Sequence, residues 1–443
     1  MENKVSDIVL VTHWTGGDVY PFIRFGKMLQ QQGHRVTLLT HCVYADQAQA
    51  AGLGFVAVDT EDEYEHLNRD LPMLADPLGK KEDYVHFHQV YHGKERLLRE
   101  VALIEQVATE HSIIIARHRS SISGLLAAEK NHLPYASMIL APNYFSHMEL
   151  HDQLFGEDFC KEINQARSQL QMSPIANWKD WLYSPKHILC GWPEWYAQAD
   201  ETWPESAETI GFIEETISNG SDEQNEELSA FINEARQTEQ KLVIITGGSS
   251  RMVSKSFYQK AIQGCVQASV CAIVVTPYKE YLPEVLPHNV VWVHHVSLRN
   301  LMKQVDIVIH HGGMGTINEA IDAALPQVVM PHLTDGPDNA DRLVKMGVAV
   351  KLPPLLWDEN RIAENLTTLL EGNIKEQCIH YRDMNRETYD AKLWKDVIPQ
   401  IGPCEPFQPK QQNTEHGVNT ASVNQLPKNV LLEIIRKKQR KGE

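Results

Sequence analysis

The run Val305-Asp306-Ile307-Val308-Ile309-His310-His311-Gly312-Gly313-Met314-Gly315-Thr316-Ile317-Asn318-Glu319 decides the fold. Its first five residues form an apolar run that reads as a buried strand, and residues 319–325 read as a helix. A glycine-rich turn between a strand and a helix N-terminus offers unpaired backbone N–H groups and the positive end of a dipole to an anion. Gly312, Gly313 and Gly315 let that anion approach the backbone, because no Cβ stands in the way. His311 adds a ring N–H and Thr316 a hydroxyl. The ligand that suits this chemistry is a diphosphate. The turn has neither the Gly-Lys-Ser/Thr of a P-loop nor the Gly-x-Gly-x-x-Gly spacing of a dinucleotide site.

Strands alternate with helices throughout the chain, which predicts parallel sheets and an α/β class. Strands are expected over 8–12, 35–40, 55–58, 113–115 and 135–139, and again over 241–245, 271–275, 290–293, 305–309 and 327–330. The first helix is expected over 19–32, closed by Gly33, and a long helix over 83–110. Residues 146–185 read as an irregular segment capping a cleft. A chain of 443 residues is too long for one ordinary core. The acidic, polar run 214–240 is taken as a linker between domains at 1–213 and 241–402. Residues 403–443 are Pro-, Gln- and Asn-rich at first and read as a disordered tail.

The formal net charge of −17 argues against nucleic acid as a partner. No apolar run is long enough to span a bilayer. The start, Met1-Glu2-Asn3-Lys4, does not read as a signal peptide. Seven scattered cysteines without a Cys-x-x-Cys pair fit free thiols in a reducing cytoplasm, and no zinc pattern is present. The tail combines Val430-Leu431-Leu432 and Ile434-Ile435 with Arg436, Lys437, Lys438, Arg440 and Lys441. It reads either as a frayed solvated end or as a short basic amphipathic helix docking on a membrane surface or a partner protein.

A second glycine motif, Thr15-Gly16-Gly17-Asp18-Val19-Tyr20-Pro21, lies between the first strand and the first helix. Together the two motifs resemble glycosyltransferase family 1, whose members use nucleotide sugars. The resemblance continues through Leu325-Pro326-Gln327-Val328-Val329-Met330-Pro331, Asp335, Asn339-Ala340 and Gly347-Val348. It is nearest in motif to the enzymes that act on sterols, antibiotics and glycolipids. It implies a GT-B fold, in which two Rossmann-like domains face each other across a cleft, the first binding an acceptor and the second the nucleotide sugar. The last helices are expected to reach back to the first domain.

The resemblance also implies roles. Asp18 would take the proton of an acceptor hydroxyl, since an alcohol is a poor nucleophile until a base removes it. An N-cap role suits the same residue. His13 is the second candidate base. Gly17, Ser249, Ser250, His295, Val296, His311, Gly313, Gly315, Thr316, Glu319 and Asp335 would contact the donor. Within that set His295 falls where an aromatic ring stacks on the base, and Glu319 where a carboxylate holds the ribose, a favourable charge near a helix start being its other reading. Asp335-Gly336 replaces the usual Asp-Gln pair, so an N-acetylated or deoxy sugar is expected, with His332 and Asn339 as substitute ligands. Phe87, Tyr91, Asn143 and Tyr144 are candidate acceptor contacts. Arg117 and Arg119 either face an anionic acceptor or lie on the surface.

These roles describe an inverting, metal-independent transfer from a UDP- or dTDP-sugar, a co-substrate, so no cofactor is expected. The acceptor would be a hydroxyl of a lipophilic natural product. A nucleotide-sugar 2-epimerase and a non-catalytic nucleotide-sugar-binding protein are the alternatives.

Overall fold

Seven strands form the first sheet: β1 (Asp7–Val11), β2 (Arg35–Thr40), β3 (Gly54–Ala57), β4 (Ile113–Arg117), β5 (Tyr135–Ile139), β6 (Ile188–Cys190) and β7 (Ala207–Thr209). Their order is β3-β2-β1-β4-β5-β6-β7. Six form the second: β8 (Leu242–Thr246), β9 (Cys271–Val275), β10 (Val290–Val293), β11 (Ile307–His310), β12 (Gln327–Val329) and β13 (Ala349–Lys351), in the order β10-β9-β8-β11-β12-β13. Every pairing is parallel. Helices cover both faces, so β4, β5, β8 and β9 are buried along their whole length and are mainly apolar. The computed structural model describes residues 5–407 except 75, 78, 214–224, 249–250, 252, 333–334 and 392–393. The expected tail and its docking segment lie almost wholly outside the described residues.

Strand order reverses between β1 and β4 in the first sheet and between β8 and β11 in the second. At such a point neighbouring connections run to opposite faces and leave a crevice beyond the carboxyl ends of the strands. The loops after β1, β4, β8 and β11 therefore hold the groups most able to meet a ligand. Both glycine motifs fall on these loops.

The segment over 146–185 departs from expectation. Most of it continues the helix Asn143–Gln169, which buries Phe145, Met148, Phe155, Phe159 and Ile163 on one stripe. That stripe has the 3.6-residue period of a helix, and its polar intervening residues obscure it in the sequence. The expected helix over 83–110 is two helices, Lys81–Tyr91 and Lys94–Val107. Gly93 separates them, where a side chain would meet the Gln89 carbonyl oxygen at 2.1 Å. The helix Glu226–Gln237, inside the expected linker, packs Leu228 and Ile232 against Leu242 and Ile244 of the second sheet.

The end of the described chain returns to the first sheet. Trp394, Val397, Ile398 and Ile401 share a core with Phe22, Phe25 and Ile213, and Pro403 bridges to Pro134. Among the described residues no helix is long and apolar enough to cross a membrane.

Candidate active site

The loop after β11 is built around two histidines. His310, fully buried at the end of β11, has Nε2 2.9 Å from Gln327 Oε1 on the neighbouring strand. A glutamine oxygen only accepts, so Nε2 carries the proton, and Nδ1 accepts the Gly312 N–H at 3.1 Å. Burial pushes the His310 pKa down to about 3 and keeps this tautomer neutral. Gly312 has φ +94°, where a Cβ would also press on Gly336 at 3.0 Å. The turn thus needs glycine for both conformation and space.

His311 lies between two glycines. A side chain on Gly248, which follows β8 at φ +77°, would meet its Cε1 at 2.8 Å, and one on Gly313 its Nε2 at 2.6 Å. Burial and the neighbouring His332 lower the His311 pKa to about 4, so the ring is neutral near pH 7. The following helix, Met314–Asp322, has Gly313 as its N-cap and its first backbone bond from Ile317 N–H to Gly313 O. The N–H groups of Met314, Gly315 and Thr316 thus precede the helical bonding pattern. A Cβ on Gly315 would meet nothing within 4 Å, so that face of the turn is open. Thr316 is buried in the first turn.

The helix starts earlier than expected, which moves Glu319 from its first turn into its second. The Glu319 carboxylate is buried, 3.4 Å from Arg24 on the helix Gly16–Gln31. The two halves of the chain meet through this pair. Asn339, expected as a substitute sugar ligand, is fully buried. It donates to the Gly312 carbonyl at 2.9 Å and accepts the Tyr196 hydroxyl at 3.1 Å. Its amide therefore braces the glycine turn. His295 is exposed and Val296 half-buried in the loop after β10. Ser249 and Ser250 lie outside the described residues.

On the facing half, Thr15 and Asp18 form a reciprocal cap at the start of the Gly16 helix. Asp18 Oδ2 accepts from Thr15 N–H at 3.2 Å and Thr15 Oγ1 at 3.1 Å. Asp18 Oδ1 lies 2.8 Å from Arg117 Nη2 at the end of β4. Arg117 is buried and also donates to Ser120 Oγ at 2.8 Å and to the Tyr144 hydroxyl at 2.9 Å. It is thus neither a surface arginine nor free for an acceptor. Asp335, half-buried at the start of the helix Gly336–Lys345, feels both Asp18 and Arg117. Burial, with Asp18 adding to it, raises its pKa to about 6. Gly17 is exposed beside Asp18.

Two sequence expectations need correction here. His13 is 4% exposed, with Nδ1 2.7 Å from Ser121 Oγ and Nε2 3.2 Å from Glu100. Both nitrogens are engaged inside the protein, so it is not positioned as a base. Phe87 has no exposed surface. It stacks behind Trp14 (ring centroids 4.8 Å) and Tyr91 (4.6 Å) and supports the β1 loop from within. Tyr91 is also buried and donates to Asp70 at 2.8 Å. Asn143, 3% exposed, begins the Asn143–Gln169 helix, and half-buried Tyr144 follows it beside Arg117.

Sequence reasoning missed the network that holds this loop. Trp14 has φ +93°, a costly conformation for a bulky residue. Its N–H donates to His41 Nε2 at 2.7 Å, and His41 Nδ1 donates to Asp59 at 2.5 Å. Arg96 then links Asp59 (3.7 Å) to Glu100 (3.0 Å), which faces His13. These residues come from four separate elements, so no local spacing signals them.

Two family models match the chain. The glycosyltransferase family 28 N-terminal domain matches residues 8–148. The erythromycin biosynthesis protein CIII-like C-terminal domain matches residues 265–387. The two Rossmann-like halves have the GT-B fold of glycosyltransferase structures. This chain is 24% identical over 395 residues to a sterol 3-beta-glucosyltransferase of Saccharomyces cerevisiae, covering 80% of this chain and 32% of the yeast protein. A Yarrowia lipolytica sterol 3-beta-glucosyltransferase is 24% identical over 385 residues, 78% of this chain and 25% of that protein. The chain therefore spans a third or less of the length of these relatives. Among solved structures, the glycosyltransferase of kitacinnamycin superposes with a TM-score of 0.71 at 17% identity, covering 90% of this chain and all of that one. Glycosyltransferase VinC in complex with dTDP superposes at 0.65 with 16% identity, covering 89% and 98%.

Proposed function

We propose that this chain is an inverting glycosyltransferase that moves a sugar from a UDP- or dTDP-sugar to a hydroxyl of a lipophilic acceptor. The observation that carries the proposal is the approach of Asp18, on the acceptor half, to Asp335, on the donor half, around Arg117. VinC, a structural neighbour, binds dTDP, which supports a nucleoside diphosphate at the corresponding turn here.

The diphosphate would rest on the first-turn N–H groups of the Met314 helix, with the neutral His311 ring donating to it. Glu319 would exchange Arg24 for ribose hydroxyls. The sugar would extend toward Asp335, whose carboxylate can accept from two hydroxyls. The acceptor oxygen attacks the anomeric carbon from the side opposite the diphosphate. As the new C–O bond forms, the bond to the diphosphate breaks and the acceptor proton passes to Asp18. Asp18 keeps lone pairs for this, since its bonds to Thr15 and Arg117 do not exhaust two carboxylate oxygens.

Asp18→Asn tests the reading. The amide oxygen can still accept from Thr15, so the cap is retained while the base is lost. Turnover should fall by roughly 10²–10⁴-fold with donor affinity unchanged. Unchanged turnover would exclude Asp18 as the base. Release of free sugar without any acceptor would favour the 2-epimerase. Nucleotide-sugar binding without turnover in the parent protein would favour a binding protein.

A further inference from the structure

Three neighbouring strand ends meet behind the Asp18 loop. The order β3-β2-β1 sets the residues after those strands side by side. Each contributes one member of a chain: Asp59 beyond β3, His41 beyond β2 and Trp14 beyond β1. Asp59 Oδ1 accepts the Cys42 N–H at 3.0 Å, and its Oδ2 lies 2.5 Å from His41 Nδ1. A carboxylate only accepts, so Nδ1 carries the proton and Nε2 keeps a lone pair. Burial lowers the His41 pKa against the pull of Asp59, so the ring is neutral near pH 7. The lone pair takes the Trp14 N–H at 2.7 Å. This histidine–carboxylate pair therefore ends on a backbone amide. His41 is 1% exposed, which keeps it away from any substrate.

The amide it holds belongs to the most strained backbone position described outside glycine. Six other non-glycine residues have positive φ, from +52° to +68°, within the left-handed region reached at turns and helix ends. Trp14, at +93°, lies beyond it. A bulky residue stays there only where its surroundings over-determine it. The indole supplies part of that hold, lying against Phe87 at 4.8 Å and edge-on to His92 at 5.3 Å. His41 supplies the rest, through the backbone. The next peptide carries the Thr15 N–H, which donates to Asp18 Oδ2 at 3.2 Å. A relaxed Trp14 φ would swing that N–H away from the carboxylate that also meets Arg117. Arg96 ties in the residue before, lying 3.7 Å from Asp59 and 3.0 Å from Glu100, which faces His13 Nε2 at 3.2 Å.

We propose that His41, oriented by Asp59, is a positioning residue of the transfer. It holds the Trp14 backbone in its strained turn, so that the Thr15 N–H and Arg117 keep the Asp18 carboxylate where an acceptor hydroxyl arrives. The catalytic consequence rests on the reading of Asp18 as the base. The clamp itself rests on the hydrogen bonds alone.

Two variants of the full chain separate the bonds of His41. In His41→Gln the amide oxygen stands about where Nε2 does and can accept the Trp14 N–H. In His41→Asn the shorter amide reaches Asp59 but not Trp14. Nucleotide release from UDP- or dTDP-glucose, with naphthol as the lipophilic hydroxyl, reads turnover. His41→Asn should lower kcat by roughly 10–100-fold, as a base displaced by about 1 Å requires. KM for the nucleotide sugar should stay near the parent value, because the donor turn lies on the other half. His41→Gln should recover most of the loss. Turnover is referred to nucleotide-binding sites counted by titration, so a loss of folded protein does not mimic a loss of rate. Parent-like kcat in both variants, or equal losses in both, overturns the proposal.

The clamp is also read without activity. Exchange of the Trp14 amide hydrogen, followed in protein labelled at tryptophan, should be slow in the parent and in His41→Gln and fast in His41→Asn. Fast exchange in the parent overturns the proposal even where a variant fails to fold. Asp18→Asn, measured alongside, keeps the two readings apart. Unchanged turnover there sinks the base reading alone, and the split between His41→Asn and His41→Gln still decides whether the clamp positions the reaction.

Discussion

The Asp18 carboxylate and the Arg117 guanidinium meet at 2.8 Å, tying the loop after β1 to the end of β4 where strand order reverses. The same guanidinium reaches Ser120 and Tyr144. One planar cation thus sets the Asp18 carboxylate, the β4 loop and Tyr144 in a common frame.

Replacing Arg117 by lysine keeps the charge but not the fork, since one ammonium cannot reach three partners in those directions. Turnover of Arg117→Lys should drop by about 10–100-fold through misplacement of Asp18. Donor affinity, set on the other half, should stay near the parent value. Steady-state kinetics beside nucleotide titration would show the split, and a loss confined to donor binding would contradict it.

Asp335 titrates at about 6 because burial and Asp18 both disfavour its charge. If the ionised form holds the sugar hydroxyls, kcat/KM should fall as pH drops below about 6. Stability should run the other way. A carboxyl with a raised folded pKa loses its penalty when protonated, so the fold should gain stability as pH falls from 6 toward the ordinary aspartate value, about 3.9. Asp335→Asn should remove both effects, and an unchanged acid limb in that variant would assign the limb to another group.

Gly248 lies against His311 at a positive φ. An alanine there would strain the backbone by roughly 1–2 kcal/mol and push the imidazole out of place. Gly248→Ala should weaken UDP or dTDP binding by about tenfold or more, the loss of one directed hydrogen bond. Calorimetry would read it, and parent-like affinity would mean His311 does not touch the diphosphate.

Glu129 anchors the end of the described chain. Its oxygens accept from Arg167 twice at 2.7 Å, from Trp181 Nε1 at 3.0 Å and from Phe407 N–H at 2.9 Å. These donors hold its pKa below the usual glutamate range, Arg167 most of all. Its stabilisation should be complete above the ordinary value, about 4.3, and be lost as pH falls through the lowered one. Glu129→Gln leaves Arg167 buried and unpaired, so it should cost roughly 3–5 kcal/mol near pH 7 and flatten that acid limb. Denaturant unfolding across pH would measure it.

The strand-turn-helix at His310–Asp322 and the Gly16 helix were legible because their signals are local. An apolar run, and glycines where φ is positive or the backbone needs room, are properties of consecutive residues, whereas Asp18, expected as an N-cap, is the third residue of its helix and Thr15 is the cap. Those features place the glycine-rich turn and Asp18 and imply the parallel α/β architecture. What they could not convey is which side chains meet. Phe87 and His13 look as available in the sequence as Tyr144, yet the first two are sealed inside and the third stands at the cleft. Arg117 is far along the chain from Asp18, and parallel pairing of β1 with β4 makes them neighbours. The Asn143–Gln169 helix was hidden because polar residues interrupt its apolar stripe. The sequence by itself determined the class of fold and the glycine-rich strand-to-helix turn, through local backbone chemistry. Only the tertiary structure decided which polar groups are spent on one another and which still face a ligand, because that depends on loops brought together from distant strands.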